Sequence, residues 1–237
     1  MNNIQLGIHH LSFTDVSDHT ALYKRIYPDL YKNYYWSDDF SPEYYIAQAK
    51  AGFIAVTDHY EGKELLLPEI QFSYALLDFK DLHVSRKVKR LLNKKELQLE
   101  ISQDLDKVVA GINSSHKNNW LTPRYLETLK ATRDIDKNFK MIAAYIREEE
   151  EVIAGEIGYI IGKTYTSLSG FSSREKKYHN YGTAQLVLLA QYLEKNHFAF
   201  WNLGQSYMSY KLAVGAKVYE RQAFLKRWIE ATSSVLS

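Results

Sequence analysis

Cysteine is absent from the 237-residue chain, which removes disulfides, thiolate metal sites and a cysteine nucleophile together. An intracellular protein without redox chemistry fits that absence. Long apolar runs are missing too: none approaches the roughly 20 residues needed to cross a bilayer. The opening Met1-Asn2-Asn3-Ile4-Gln5-Leu6 has no basic region leading into an apolar core. A cytoplasmic protein that does not associate with membranes is expected. Net charge is small, with 30 Lys and Arg against 28 Asp and Glu. A polyanionic partner must therefore be met by a local cluster rather than by the field of the whole molecule. The eight histidines are scattered; His9 and His10 are adjacent, but neighbours point to different sides of a strand or helix, so no metal site is expected.

What is present begins with an ordinary globular composition, 46% hydrophobic and 24% charged, at a length that allows one large domain or a small one joined to a larger one. The 19 tyrosines are plentiful, and tyrosine serves both half-buried cores and contact surfaces. One stretch stands out. Six cations fall within the ten residues from Arg86 to Lys95, namely Arg86, Lys87, Lys89, Arg90, Lys94 and Lys95. In a helix beginning near Leu82, Arg86, Arg90 and Lys94 recur every four residues as one stripe, while Val84, Val88, Leu91 and Leu92 can face a core. Such a stripe suits a row of phosphates. Spacing alone favours the plainer reading, a solvated amphipathic helix.

The rest of the chain divides by capping and periodicity. Residues 1 to about 35 have irregular periodicity and a break at Pro28. Ser41 followed by Pro42 predicts a helix start, ending at Gly52. A short strand from Phe53 to Thr57 follows, then a turn at Tyr60-Glu61-Gly62-Lys63. Leu97 to Ile101 alternates like a half-buried strand, Ser102 caps a helix to Ile112, and Thr122 caps another. Met141 to Ile146 and Val152 to Thr166 form two strands around a solvated Glu148-Glu149-Glu150-Glu151 tip. A helix over Gly182 to Asn196, a buried strand from Phe198 to Leu203, a helix from Tyr207 closed by Gly215, and a final strand and helix complete the order. This order is that of an α+β acyltransferase fold of the GNAT type: a mostly antiparallel, splayed sheet over residues 71–237, preceded by a small N-terminal domain over 1–70.

Six short motifs then resemble, in register, those of the leucyl/phenylalanyl-tRNA–protein transferases. Phe40-Ser41-Pro42-Glu43 with Gly52-Phe53 is similar to the family's "DLSPE … GIF", and Leu82-His83-Val84-Ser85-Arg86 to its "LHISR". Trp120-Leu121-Thr122 resembles "TWIT", Gly155-Glu156-Ile157-Gly158 with Gly162 resembles "GGxxGxxxG", and Phe171-Ser172-Ser173-Arg174 is like "FSR" with one insertion. Gln205, ahead of Gly215-Ala216, keeps the spacing from the glutamine of "DCQ" to "LGA". The resemblance implies transfer of an amino acid, Leu, Phe or another hydrophobic one, from aminoacyl-tRNA to the N-terminus of a protein, marking it for N-degron degradation. It also implies that Arg86, Lys87, Lys89, Arg90 and Lys94 hold the acceptor stem through its phosphates, as suits duplex RNA, whose deep groove offers little base readout. Trp120 resembles the tryptophan near the aminoacyl-adenosine end, where an indole can stack on a base; its plainer role is a core anchor at a helix start.

An aminoacyl ester is already activated, so the enzyme must place the acceptor amine, help it lose a proton and stabilise the oxyanion. Gln205 can orient the ester or amine but cannot act as a base. Two family carboxylates are missing: the aspartate of "DCQ" falls on Leu203 and the glutamate of "GES" on Leu168. Asn202 is the nearest polar residue, and a bulge through Asn202-Leu203-Gly204-Gln205 would turn its amide to the site. The catalytic candidates are thus Gln205 and Asn202, and the pocket candidates Trp120, Leu168, Ser169, Phe171 and Leu203. Glu156 is expected as a strand-edge charge in solvent, and Ser167, Ser169, Ser172 and Ser173 as surface turn residues. The expected partners are aminoacyl-tRNA and an acceptor N-terminus, without DNA, membrane, metal or further cofactor, for a monomer. Two alternatives stand. Gly182-Thr183-Ala184 after His179 resembles half of a GNAT pyrophosphate loop, which would make acetyl-CoA the donor of an acyl-CoA-dependent N-acyltransferase. The missing carboxylates fit a non-catalytic tRNA- or peptide-binding relative.

Overall fold

In the computed structural model, residues 8–116 and 119–233 are described, so the opening hexapeptide lies outside them. The chain divides into two compact units, Met1–Phe72 with Trp120–Ile135, and Ser73–Asn119 with Asp136–Ser237. The segment from Trp120 to Ile135, expected within the larger unit, belongs to the smaller.

The first unit opens with β1 (His9–His10), α1 (Phe13–Ser17), α2 (His19–Ala21), a π-helical turn (Leu22–Ile26) and β2 (Tyr35–Trp36), which pairs in parallel with β1. A capping box starts α1: the Ser12 hydroxyl accepts from the Asp15 N–H while the Asp15 carboxylate accepts from the Ser12 N–H. α3 (Pro42–Lys50) begins as its spacing predicts, with the Ser41 hydroxyl accepting from the Tyr44 N–H at 3.3 Å and the chain leaving through Gly52 at φ +88°. β3 (Ile54–Tyr60) and β4 (Lys63–Glu69) form a hairpin whose two turn residues, Glu61 and Gly62, are both left-handed.

The chain then builds β5 (Ser73–Leu77), a 3-10 turn (Phe79–Asp81), α4 (Arg86–Lys94), β6 (Leu99–Ser102) and α5 (Asp106–Ser115) of the second unit. α4 starts at Arg86 rather than near Leu82, because Ser85 is its cap, accepting from the Val88 N–H. Nor does Ser102 cap α5. Its hydroxyl accepts from the Asp104 N–H in a turn that precedes the helix. α6 (Pro123–Ala131) returns to the first unit, capped by Thr122. The Tyr125 hydroxyl on α6 donates to the Ala55 carbonyl at 2.8 Å and lies 3.2 Å from the hydroxyl of fully buried Tyr45.

From Asp136 the second unit is completed by β7 (Phe139–Glu148), β8 (Glu151–Ile161), β9 (Thr164–Ser172), α7 (Tyr181–Lys195), β10 (Phe200–Gln205), α8 (Ser209–Ala213), β11 (Lys217–Glu220) and α9 (Arg221–Thr232). The Glu148–Glu151 tip is a hairpin turn, as expected. Val152 to Thr166 is two strands, not one: Gly162, at φ +52°, turns the chain, and its N–H is held by the Asn138 side chain at 3.0 Å. The sheet order is β11-β5-β10-β9-β8-β7-β6, with β9–β10 parallel and the other pairs antiparallel. This is an α+β, GNAT-like plan, and its splay is visible in the register. β9 and β10 pair only from Thr164–Phe200 to Thr166–Asn202; beyond that, β9 runs on beside β8 and β10 beside β5.

Side chains alternate across the sheet. One face carries Gly155, Ile157 and Tyr159 and is packed by α5; a Cβ on Gly155 would come within 3.1 Å of Val108. The other carries Ala144, Tyr165, Trp201 and Leu203, which form a core with Leu189, Ala190 and Leu193 of α7. Among the described residues no helix is long and apolar enough to cross a membrane.

Candidate active site and cationic helix

α4 is amphipathic in the sense its sequence predicts. Val88 is buried against Ala184 and Val187 of α7, and Leu91 and Leu92 pack beside it. Arg86, Lys87, Lys89, Arg90 and Lys94 are all exposed. Among the described residues, none of these five makes an ion pair, whereas the neighbouring Lys95 pairs with Glu148 at 2.9 Å. With a rise of about 1.5 Å per residue, Arg86, Arg90 and Lys94 stand about 6 Å apart along the helix. The result is a fixed row of unneutralised cations.

A second cluster sits where β9 and β10 part. Its centre is Glu156 on β8, which is 5% exposed and not the solvent charge expected of it. Two donors converge on Glu156 Oε1, the Ser167 hydroxyl at 2.6 Å and the Tyr165 hydroxyl at 3.0 Å. Ser167 in turn accepts from the Trp201 indole N–H at 2.8 Å, so it belongs to a network rather than to a surface turn. Lys211 on α8 is 6% exposed and donates to the Gln205 carbonyl at 3.2 Å. Burial pushes the Glu156 carboxyl up to about 7, although the Ser167 and Tyr165 hydrogen bonds, the Lys211 charge and Gln185 all oppose the shift. Burial also lowers Lys211 to about 8, against the pull of the Glu156 charge. A carboxyl poised near neutrality can take and return a proton.

The expected site residues are divided by the sheet. Two β-bulges mark the splay, and their extra residues are Leu168, between Ser167 opposite Gly158 and Ser169 opposite Ile157, and Leu203, between Asn202 and Gly204. Both leucines therefore occupy strand irregularities beside the opening. Leu203, 2% exposed, is part of the α7-side core and does not line an open pocket. Leu168 is half-buried. Ser169 and Phe171 lie on the α5 face, where the Phe171 ring occupies the space a Cβ on Gly111 would need, and so face away from Glu156 and Ser167. The bulge expected at Asn202-Leu203-Gly204 is present, but it consumes the Asn202 amide: Nδ2 donates to Thr166 Oγ1 at 3.4 Å and Oδ1 accepts from the Gly204 N–H at 2.9 Å. Gln205 ends β10 half-buried. Trp120 belongs to the first unit, where its ring meets Tyr125 edge-on at 5.5 Å and its carbonyl accepts from Thr57, an anchor at a helix start.

Among the described residues no group of three His, Asp or Glu side chains could hold a metal. Gly182 has a packing reason to be glycine, since a Cβ there would lie 2.9 Å from that of Ser172.

No curated protein sequence matched the chain at a significant level. Among solved structures it is similar to FemX (10% identity, 62% of this chain and 59% of that one, TM-score 0.44) and to L-PGS from Bacillus licheniformis (13% identity, 70% and 65%, TM-score 0.42). It is also similar to the C-terminal domain of an Agrobacterium fabrum protein assigned as a lysylphosphatidylglycerol synthetase (15% identity, 80% and 56%, TM-score 0.42). The chain thus spans 56% to 65% of the length of these structures. The profile described as leucyl/phenylalanyl-tRNA protein transferase matches residues 76–228, which takes in α4, both bulges, Glu156 and Lys211. The chain belongs to the leucyl/phenylalanyl-tRNA–protein transferase family.

Proposed function

We propose that the protein transfers a hydrophobic amino acid, leucine and phenylalanine first, from aminoacyl-tRNA to the N-terminal amine of an acceptor protein or peptide, marking it for N-degron degradation. The observation that carries this reading is α4: its apolar face is locked on α7 while five cations stand exposed without ion-pair partners among the described residues. A rigid, sequence-blind row of charge suits an acceptor stem, because every phosphate of a duplex looks alike. Arg86, Lys87, Lys89, Arg90 and Lys94 bind the stem in this reading. Gln205, half-buried at the end of β10, orients the ester or the incoming amine, and Asn202 holds the bulge that presents it. Leu168 gives the opening an apolar wall that favours an apolar side chain.

The reaction needs no cofactor besides the charged tRNA, because the ester bond already stores the driving force. We place it in the cytoplasm, carried out by a monomer. The test incubates the protein with radiolabelled Leu-, Phe-, Met- and Arg-tRNA and a peptide bearing an N-terminal Lys or Arg. Label should appear in the peptide from at least one apolar aminoacyl-tRNA. No transfer from any of them, alongside acetylation of the peptide from acetyl-CoA, would sink the reading.

A further inference from the structure

Glu156 has no task in the reaction as described so far, yet the sheet is shaped around it. Gly170, opposite it on β9, leaves it room: a Cβ there would approach the Glu156 Cβ to 3.0 Å. Gly158 does the same for its donor, since a Cβ would lie 2.5 Å from the Tyr165 hydroxyl and 2.2 Å from the Thr166 carbonyl. A glutamine or an apolar residue would sit on this central strand without the desolvation a carboxylate suffers. The carboxylate is also wired outward. Ser167 commits its proton to Glu156, takes the Trp201 N–H on one lone pair and keeps the other free. It is half-buried, one residue before the Leu168 bulge, where β9 leaves β10.

We propose that Ser167 and Glu156 form a proton relay that replaces the two carboxylates lost at Leu168 and Leu203, with Ser167 touching the attacking amine. The proposal rests on the aminoacyl-transfer reading above. The neutral amine attacks the ester carbonyl carbon, and as the C–N bond forms Ser167 Oγ accepts the amine proton and passes its own to Glu156 Oε1. The tetrahedral intermediate then breaks its C–O bond, and the proton returns through Ser167 to the departing ribose oxygen. The products are an amide and deacylated tRNA, with Glu156 ionised again. Ser167 is the catalytic residue; Glu156 acts through it. Trp201 fixes the Ser167 hydroxyl, and Tyr165 holds the carboxylate in place. The other groups acting on the carboxylate are Gln185 from α7 and Lys211 and Tyr210 from α8, and the Lys211 charge favours the ionised, proton-accepting form.

The experiment compares wild type with Glu156→Gln, Glu156→Asp and Ser167→Ala in single-turnover transfer over a range of pH, with tRNA affinity measured in parallel. The acceptor amine titrates near pH 8 and contributes one proton to the acid limb of the wild-type profile, and Glu156 contributes a second. Glu156→Gln and Ser167→Ala should each lower the rate about 10²- to 10⁴-fold with unchanged tRNA affinity. Glu156→Gln should also reduce the limb from two protons to one, whereas Glu156→Asp should keep two protons at a lower rate. Should Glu156→Gln fail to fold, Ser167→Ala, which removes one half-buried hydroxyl, carries the test. Wild-type transfer with both Glu156→Gln and Ser167→Ala keeping its rate and slope overturns the relay alone. A wild type that transfers from none of the charged tRNAs overturns relay and function together.

Discussion

Replacing Arg86, Arg90 and Lys94 together by alanine tests the role of α4 through the salt dependence of tRNA binding. Each side chain is exposed and without an ion-pair partner among the described residues, so its charge is available to a phosphate at no structural cost. If each neutralises one phosphate, the triple variant lowers the slope of log affinity against log salt by about 2.7, taking about 0.9 per duplex phosphate. Between about 50 and 200 mM salt the wild type should therefore lose about 40-fold more affinity than the variant. Fluorescence anisotropy with labelled tRNA reads this directly. Lys140→Ala, at an exposed cation on β7, is the control and should leave the slope unchanged. Thermal unfolding should hardly move in the triple variant, since alanine is a good helix former and Val88 stays docked. An unchanged slope with an intact fold would refute the reasoning and leave α4 an ordinary solvated face.

Glu156→Gln should stabilise the protein in a pH-dependent way, read by urea unfolding. The folded carboxyl takes its proton near 7 and the unfolded one near 4.5, so between these values the folded state binds more protons and wild-type stability falls as pH rises. The gain on substitution should reach about 3 kcal/mol above pH 7 and vanish below 4.5; a gain independent of pH would contradict a buried, titrating carboxyl. Gly158→Ala should cost about 1–3 kcal/mol by forcing the Tyr165 hydroxyl and the Thr166 carbonyl away, and a neutral result in a denaturant titration would mean that the strand yields there. Leu203→Asp, which restores the family's aspartate in sequence, should fail to raise transfer and should cost about 3 kcal/mol or more, because position 203 is buried in the α7-side core; a rise in turnover would show instead that the bulge can turn outward.

Local signals were legible and long-range ones were not. Ser41, Thr122 and the stripe of α4 announce themselves within four residues, because caps and helix faces are set by near neighbours. Ser102 misled because a serine hydroxyl serves a turn as readily as a cap. The bulge at Leu203 is followed by Gly204, a residue that weakens a strand interior, while nothing in Ser167-Leu168-Ser169 marks the second one. Glu156 is buried because β8 lies inside the sheet, between β7 and β9, and not at its edge. Its flanks, Val152-Ile153-Ala154 and Tyr159-Ile160-Ile161, are apolar on both faces, which is the mark of a central strand and of a buried charge within it. The partners that complete the network, Trp201 and Lys211, come from distant turns of the chain, and only the sheet order β10-β9-β8 brings them together.

The chain crosses between its two units three times, at Phe72, Asn119 and Ile135, and this bears on how it can be made. Tyr45 is fully enclosed, yet the ring that meets it edge-on, Tyr125, is encoded 80 residues later. A growing polypeptide that has produced only its first 72 residues holds an interior with a missing wall, and it must keep that surface from neighbouring chains until α6 arrives. By then β5, α4 and α5 have also emerged, ahead of the β10 and β11 that pair with β5, the α7 that covers α4 and the β8 on which α5 packs. Synthesis from the N-terminus therefore cannot finish the smaller unit before beginning the larger, and a cut at residue 72 would leave the N-terminal fragment without α6, which the other fragment would carry.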